Sequence, residues 1–255
     1  MKTLIYQVSV GQPSELYKHC IKSVYDYADR IDSDYYVQTE PILKIRPTGP
    51  GRSKEAVERL GYLPIFEKEN AFVKLKDYDK VAVIDADVYI RPSSMVNVFE
   101  EFDEPFAAMK ESSLPMLGWY YKKLQVYSRM QYGTLWKYPD QIAPFRNMGV
   151  MIFSKALLEY ESLLLKPYEF LMQNKYRKFV NGEGHFKWST DQTLLNFWLK
   201  EKKIPVHDLD WRYNCLYTTV EDKHLKEAKF VHFFLKDKLP NRGENVKELM
   251  KAIGE

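Results

Sequence analysis

Hydrophobic residues along the chain fall into two alternating patterns. Short apolar runs occupy residues 4–10 and 81–84, and residues 34–38 also resemble a strand. Between them, residues 16–27 and 66–75 carry apolar side chains at intervals of about three or four positions, which is the spacing of one helix face. Because short continuous runs predict strands, this part of the chain predicts an alternation of strands and helices.

The same alternation continues to residue 234 without an internal repeat or a clean linker. Further strands are predicted at residues 149–153, 204–207 and 230–234, and further helices at residues 157–165, 167–176 and 190–200. Pro92 and the two serines after it predict the start of another helix, across residues 92–99. Such alternation predicts one α/β domain, with a mostly parallel sheet between helices and a ligand site beyond the carboxyl ends of its strands.

Composition narrows the class of protein. The 255 residues include 38 Lys and Arg against 35 Asp and Glu, a formal net charge of +3, and 45% of them are hydrophobic. Such a chain folds around a core and lacks the strongly basic field of nucleic-acid-binding proteins, so we expect no nucleic-acid partner. Aromatic residues make up 15% of the chain, more than a core alone needs. Some of them are therefore expected to line a binding surface.

Three features predict a cytoplasmic protein without a transmembrane segment. Cys20 and Cys215 allow at most one bridge, which is too few for a disulfide framework. Tyr6, Gln7 and Ser9 interrupt the N-terminal apolar stretch, which is too short for a secretory signal. No later window approaches the roughly 18 uninterrupted apolar residues of a transmembrane helix.

The most informative segment is the apolar run that ends in Asp85-Ala86-Asp87. On an extended chain, residues two positions apart lie on the same face, so these two carboxylates are expected to point to one place. Paired carboxylates without a basic neighbour favour Mn²⁺ or Mg²⁺, which in turn binds a diphosphate. The competing interpretation is a turn in which Asp87 caps the next segment. The apolar strand directly before the pair favours the metal site.

With this motif at the end of such a strand, the sequence resembles the metal-dependent nucleotide-sugar glycosyltransferases of the GT-A type, most closely the glycogenin and lipopolysaccharide galactosyltransferase group, glycosyltransferase family 8. Further segments agree in order and spacing up to about residue 240. The resemblance implies a single domain with a Rossmann-like sheet flanked by helices. Residues 1–110 would be the nucleotide- and metal-binding half, and residues 111–255 the acceptor- and sugar-binding half. It also implies sugar transfer from a nucleoside-diphosphate donor, a UDP-sugar, to a hydroxyl of a carbohydrate acceptor, with Mn²⁺ or Mg²⁺ and with retention of configuration.

The resemblance implies roles for individual residues in the sugar site. Lys68 lies 17 residues before Asp85, where the family carries an Arg or Lys that contacts the donor phosphates and sugar. Asn147 matches an asparagine that binds donor hydroxyls, and Gly149 lets the backbone approach the sugar. Asp191, followed by Gln, matches an aspartate near the anomeric carbon. The ordinary interpretations are a solvated helix lysine, a turn before a strand and an acidic first helical turn.

The C-terminal segments supply the remaining ligands that the resemblance implies. Asn214 ends a loop similar to one in the family, and His232 would be the third protein ligand of the metal. Lys238, six residues after His232, would bind the diphosphate, although Leu235 replaces the family's glycine between them. The competing interpretation of His232 is a core histidine.

The nucleotide is expected to lie over the loop after the first strand. Ser9, Val10 and Tyr17 are the candidate contacts there, together with Asp85 and Ala86 of the acidic motif. A glycine-rich dinucleotide motif, a Walker motif and zinc-ligand motifs are all absent from the sequence. These absences argue against dinucleotide binding, P-loop hydrolysis and a zinc site.

An aromatic tract between the metal strand and the sugar-contacting strand is the candidate acceptor site. It contains Trp119, Tyr120, Tyr121, Tyr127, Tyr132, Trp136 and Tyr138. Aromatic rings stack on the apolar faces of sugars. We therefore expect Trp119, Tyr121 and Trp136 to bind the acceptor. The competing interpretation is an accessory core or a contact between subunits.

Two other functions remain open. A sugar-phosphate nucleotidyltransferase also needs a cation held by carboxylates, but its relatives carry a glycine-rich basic loop after the first strand. Residues 8–17 contain one glycine and no basic residue. The second alternative is a non-catalytic carbohydrate-binding protein on the same fold. The sequence indicates neither the donor base nor the sugar, the acceptor or the oligomeric state.

Overall fold

A six-stranded sheet forms the centre of the molecule in the computed structural model, which describes residues 1–49, 54–124, 145–183 and 191–255. The strands of these ranges are β1 Thr3–Val8, β2 Asp34–Gln38, β3 Lys80–Ile84, β4 Val88–Ile90, β5 Phe106–Lys110, β6 Arg146–Ser154, β7 Val206–Leu209, β8 Cys215–Leu216 and β9 Phe230–His232. The central sheet has the order β2-β1-β3-β6-β5-β7. Only β6 runs antiparallel to its neighbours, so the predicted mostly parallel sheet is confirmed.

Helices cover both faces of this sheet. The α-helices with defined bounds are Glu15–Arg30, Lys54–Leu60, Pro167–Leu171, Asn174–Asn181, Asp191–Glu201, Asp222–Leu225 and Val246–Ile253, and a long 3₁₀ helix spans Pro64–Lys76. Alternate residues of each strand enter opposite cores. In β1, Ile5 faces one core, while Leu4 and Tyr6 face the other. None of the helices in the described ranges has the length and apolar character needed to cross a bilayer.

A second, three-stranded sheet places the C-terminal part of the chain beside the acidic motif. Its order is β4-β9-β8, and β4 pairs with β9 so that Val88 lies opposite His232. The backbone N–H of Phe233 donates to the carbonyl oxygen of Asp87 at 2.9 Å. This pairing brings the end of β9 next to the residues that follow β3, across more than 140 positions of sequence.

The helix predicted at residues 92–99 is wrong. These residues form turns and irregular backbone, and the hydroxyl of Tyr27 bonds to two of their backbone groups. It donates to the carbonyl oxygen of Val96 at 2.7 Å and accepts from the N–H of Val98 at 3.2 Å. Strand β5 was not predicted, because its Phe-Ala-Ala-Met-Lys sequence lacks the β-branched residues that favour strands. Its neighbours β6 and β7 pair with it from both sides.

Candidate active site

The acidic motif lies where the central sheet and the three-stranded sheet meet. Asp85 directly follows β3, and its N–H donates to the carbonyl oxygen of Gly149 in β6 at 2.8 Å. Asp87 directly precedes β4. His232 is the last residue of β9, opposite the first residue of β4. The site is therefore at the carboxyl end of β3, the edge that the α/β pattern predicts.

The structure brings together the three residues predicted as metal ligands. Nε2 of His232 lies 3.2 Å from Oδ1 of Asp87 and 3.9 Å from Oδ2 of Asp85. One ligand atom from each residue lies within 4.8 Å of the others. Burial opposes the charged imidazolium, but Asp87 and Asp85 together outweigh burial and raise the pKa of His232. A positive charge between these carboxylates is thus favoured, whether it comes from a proton or from a metal ion.

The composition of this cluster fits a divalent cation. Two carboxylate oxygens and one imidazole nitrogen are ligands that Mn²⁺ accepts. Burial raises the pKa of Asp85, and Lys68 opposes that shift. Because the ammonium group of Lys68 pairs with the carboxyl groups of Asp85 and Asp191 and not with that of Asp87, a bound divalent cation would offset the remaining negative charge.

Lys68 is the centre of a buried ion triad. Its Nζ lies 2.9 Å from Oδ1 of Asp85 and 2.8 Å from Oδ2 of Asp191, and it donates to the carbonyl oxygen of Met148 at 3.2 Å. Burial opposes its charge, but Asp191 and Asp85 outweigh burial and raise the pKa of the ammonium group. Lys68 is therefore not the solvated lysine of the competing interpretation. It connects the candidate metal ligand Asp85 to Asp191, the first residue of its helix.

The preceding residue explains how the 3₁₀ helix holds Lys68 in place. Glu67 is fully buried, and its carboxylate accepts from the backbone N–H groups of Ile42, Leu43 and Lys44 at 2.7–3.0 Å. These bonds attach the helix to the loop that follows β2. A buried carboxylate that accepts several hydrogen bonds is held firmly in place. The backbone that carries the next residue, Lys68, is therefore rigid.

Asn147 lies inside a buried hydrogen-bond network. Its Nδ2 donates to Oε1 of Glu111 at 2.9 Å, and its Oδ1 accepts from the N–H of Gly149 and from Nδ2 of Asn214, both at 2.9 Å. Gln192 also donates to Glu111 Oε1, at 3.1 Å. The predicted contact between Asn147 and donor hydroxyls stays a prediction. These bonds use one of its two amide hydrogens.

An open cavity of about 420 Å³ extends from the acidic motif, and we call it the aspartate cavity. Its lining includes the residues predicted to contact the nucleotide, which are Ser9, Val10, Tyr17, Asp85 and Ala86. Asp87, Lys68 and Lys236 line it as well. Tyr17 and Asp87 line the same cavity, and the carboxylate of Asp87, with burial, raises the pKa of Tyr17. Pro64 and Ile65 form part of its apolar wall.

No protein-family model matches this sequence, and no curated protein matches it. Solved structures do. A glycosyltransferase involved in the glycosylation of the major capsid of PBCV-1 aligns with a TM-score of 0.51 over 97% of this chain and 100% of its own, at 14% identity. The chain has the GT-A fold.

Two further GT-A structures agree. Mouse xyloside xylosyltransferase 1 aligns with a TM-score of 0.50 over 91% of this chain and 97% of its own, at 14% identity. The glycosyltransferase GlyE of Streptococcus pneumoniae TIGR4 aligns with a TM-score of 0.51 over 100% of this chain and 60% of its own, also at 14% identity. At such identity the likeness concerns the fold, and the predicted GT-A architecture is confirmed.

Within this GT-A fold, Lys238 does not line the aspartate cavity. Its Nζ lies 4.2 Å from the ring centroid of Trp119, whereas Lys236 lies on the cavity wall. Leu235 has φ 61°, the left-handed conformation that favours the glycine of the family motif. The turn after β9 therefore has the left-handed backbone conformation at this position, although the residue is leucine and not glycine. The prediction named Lys238 from its spacing after His232 and did not include Lys236.

The described part of the aromatic tract is divided between core and surface. Tyr120 is buried and donates to Oε2 of Glu111 at 2.9 Å, so it belongs to the Asn147 network. Trp119 is 36% exposed and Tyr121 is 39% exposed. Tyr127, Tyr132, Trp136 and Tyr138 lie outside the described residues. The accessory-core interpretation thus applies to Tyr120, and the acceptor role of Trp119, Tyr121 and Trp136 stays a prediction.

Sequence reasoning missed Glu111 and gave Asn214 no role at the metal. Glu111 stands at the end of β5, a strand that was itself missed, so it had no pattern to mark it. The loop motif that ends at Asn214 was the sequence signal that could have marked this residue as functional. Burial raises the pKa of Glu111, and hydrogen bonds from Asn147, Tyr120 and Gln192 oppose the shift.

Proposed function

We propose that the chain is a metal-dependent glycosyltransferase that moves a sugar from a nucleoside-diphosphate donor, a UDP-sugar, to a hydroxyl group of a carbohydrate acceptor. The observation that carries this proposal is the cluster of Asp85, Asp87 and His232, whose two aspartates line the aspartate cavity. It lies at the carboxyl end of β3 in a GT-A fold. The carboxylates of Asp85 and Asp87 are half-buried and line the cavity, which suits a cation that contacts the diphosphate of a bound donor.

Oδ2 of Asp85, Oδ1 of Asp87 and Nε2 of His232 would hold Mn²⁺ or Mg²⁺. A bound divalent cation offsets the negative charge that develops on a departing nucleoside diphosphate. Ser9, Val10, Tyr17 and Ala86 also line the aspartate cavity and would contact the nucleotide there.

The sugar end of the site is assigned to Asp191 and Lys68. Asp191 is buried, and Lys68 keeps its carboxylate in place at 2.8 Å. In this proposal Asp191 lies near the anomeric carbon, and Lys68 bridges it to the residue that binds the metal. Asn147 would orient a donor hydroxyl, and transfer would proceed with retention. The acceptor would approach from the side of Trp119, Tyr121 and Trp136.

The test measures nucleoside diphosphate release in a panel of nucleotide sugars with Mn²⁺ and no acceptor. We expect slow donor hydrolysis by the wild-type protein and its loss in chelator. Asp87→Asn removes one charged ligand and keeps the side-chain shape, and we expect it to lower the rate by at least about 100-fold, the scale of one lost electrostatic stabiliser.

The matched control is Asp26→Asn, which changes an exposed aspartate that pairs only with Lys22 on the same helix. It should keep the wild-type rate. Full activity of Asp87→Asn in chelator would refute the proposal. Pyrophosphate-dependent exchange in place of hydrolysis would identify a nucleotidyltransferase, and binding of sugars without any donor turnover would identify a carbohydrate-binding protein.

A further inference from the structure

The two ring nitrogens of His232 face different partners. Nε2 faces the carboxylates of Asp85 and Asp87, and Nδ1 lies 3.0 Å from Oδ1 of Asn214. A neutral imidazole carries its proton on one nitrogen only, and it binds a metal ion through the other. Whether Nε2 is free to bind a cation therefore depends on what lies beyond Nδ1.

A backbone group decides the orientation of the first amide in this chain of contacts. The N–H of Gly149 can only donate, and it lies 2.9 Å from one amide atom of Asn147. That atom must therefore be the oxygen, and the amide nitrogen of Asn147 faces Oε1 of Glu111 at 2.9 Å. The carboxylate of Glu111 accepts from this nitrogen. The partners of the amide oxygen and of the amide nitrogen therefore require the same orientation of Asn147.

The orientation of the Asn147 amide determines the orientation of a second amide, that of Asn214. The oxygen of Asn147 also lies 2.9 Å from an amide atom of Asn214, which must be the nitrogen because it has to donate. The oxygen of Asn214 then faces Nδ1 of His232. Since an amide oxygen only accepts, Nδ1 must carry the hydrogen.

We propose that Asn147 and Asn214 are positioning residues that hold His232 as the Nδ1–H tautomer and so present the lone pair of Nε2 to the cation. This inference rests on the metal site of the proposed function. Partners behind a metal-binding histidine fix its tautomer and ring orientation, and their loss commonly lowers metal affinity by about 10–100-fold.

We call the chain of hydrogen bonds from Gly149 through Asn147 and Asn214 to His232 the relay, and burial makes this relay specific. Asn214 is 0% exposed, Asn147 is 2% exposed and His232 is 4% exposed. Because bulk water does not reach these groups, a lost hydrogen bond leaves a buried polar atom without a substitute. The relay also joins two sheets, since Asn147 lies in β6 and His232 ends β9.

The first experiment measures the tautomer directly. Two-bond ¹H–¹⁵N correlation spectra of the histidine-labelled, metal-free protein distinguish the two tautomers at alkaline pH, where the imidazole is neutral. We expect the wild-type His232 to be the Nδ1–H form. The Nε2–H form in the wild-type protein would overturn the inference, and this measurement needs no variant.

Two substitutions of one residue test the cause. Asn214→Leu has a similar shape and offers no acceptor, so we expect a mixture of tautomers and a Kd for Mn²⁺ that is about 10–100-fold higher by isothermal titration. Asn214→Asp keeps an acceptor opposite Nδ1, so we expect it to retain the Nδ1–H form and bind Mn²⁺ more tightly than Asn214→Leu. If Asn214 only stabilised the fold, the two variants would not show this order of Mn²⁺ affinity together with a difference in the tautomer of His232.

A third variant tests the relay at a distance. Asn147→Leu does not touch His232, but it removes the oxygen that orients Asn214, and we expect the same tautomer mixture. An Nδ1–H form unchanged in both leucine variants, with wild-type Mn²⁺ affinity, would overturn the inference while the proposed function stands. If the wild-type protein shows the Nδ1–H form but binds no Mn²⁺, the metal-dependent function fails and the relay remains.

Discussion

Replacing Gly149 by alanine tests whether the position of His232 controls the metal site. A methyl group on Gly149 would lie 2.3 Å from Cε1 and 2.5 Å from Nδ1 of His232. Carbon atoms in favourable contact are about 3.5–4.0 Å apart. The imidazole must therefore move by about 1 Å, away from a ring position that Asn214 and Asp87 both define.

This displacement exceeds what metal coordination tolerates. Ligand distances in metal sites vary by about 0.2 Å, so a shift of about 1 Å removes His232 from the ligand set. We expect the Kd for Mn²⁺ to rise by at least the 10–100-fold that follows from losing an outer hydrogen-bond partner. Because the methyl group also overpacks the interior, the free energy of unfolding should fall by about 1–3 kcal/mol.

The assay is a titration of the metal-free protein with Mn²⁺, followed by electron paramagnetic resonance of the free ion, beside urea unfolding of the same samples. Gly118→Ala is the matched control, since a methyl group there meets nothing within 4 Å. It should bind Mn²⁺ as the wild-type protein does. Wild-type Mn²⁺ affinity in Gly149→Ala would refute the assignment of His232 as a metal ligand.

Two further predictions concern substrate binding around the aspartate cavity. Lys236→Met should weaken nucleoside diphosphate binding by roughly 0.5–1.5 kcal/mol, up to about tenfold, because it removes a cation from the cavity wall, and Lys238→Met should weaken it less. Calorimetry with Mn²⁺ present checks both, and the reverse order would support the family's lysine position. Trp119→Ala should raise the KM for acceptor, with about 0.5–1.5 kcal/mol lost per stacked ring, while acceptor-free donor hydrolysis persists. Equal losses in both reactions and a lower Tm would place Trp119 in the core.

Local pattern was sufficient for the architecture and for the centre of the site. The apolar run of β3 ends at Asp85, so the spacing of the acidic motif on an extended chain already predicted two carboxylates at a sheet edge. Helix Asp191–Glu201 likewise begins at the aspartate that its sequence motif marks. These features depend on neighbours within a few residues, which is the range that hydrophobic periodicity and motif spacing describe.

The tertiary structure alone decided which polar groups meet across the sheets. Lys68 could be a solvated lysine by its local sequence, and only the approach of Asp85 and Asp191 makes it a buried ion triad. Similarly, Tyr27 replaces the backbone hydrogen bonds that would have continued a helix after Pro92.

The relay behind His232 shows the same division most clearly. Asn147, Asn214 and His232 belong to three separate segments, and their spacing along the chain does not predict that their side chains touch. They meet because β6 and β9 belong to different sheets that converge at Gly149, where the absence of a side chain admits the imidazole ring. The sequence determined the residue types of the metal site, and the packing of two sheets determined the tautomer and direction of its histidine. Hydrogen bonds depend on distances of a few tenths of an ångström, which only the folded chain defines.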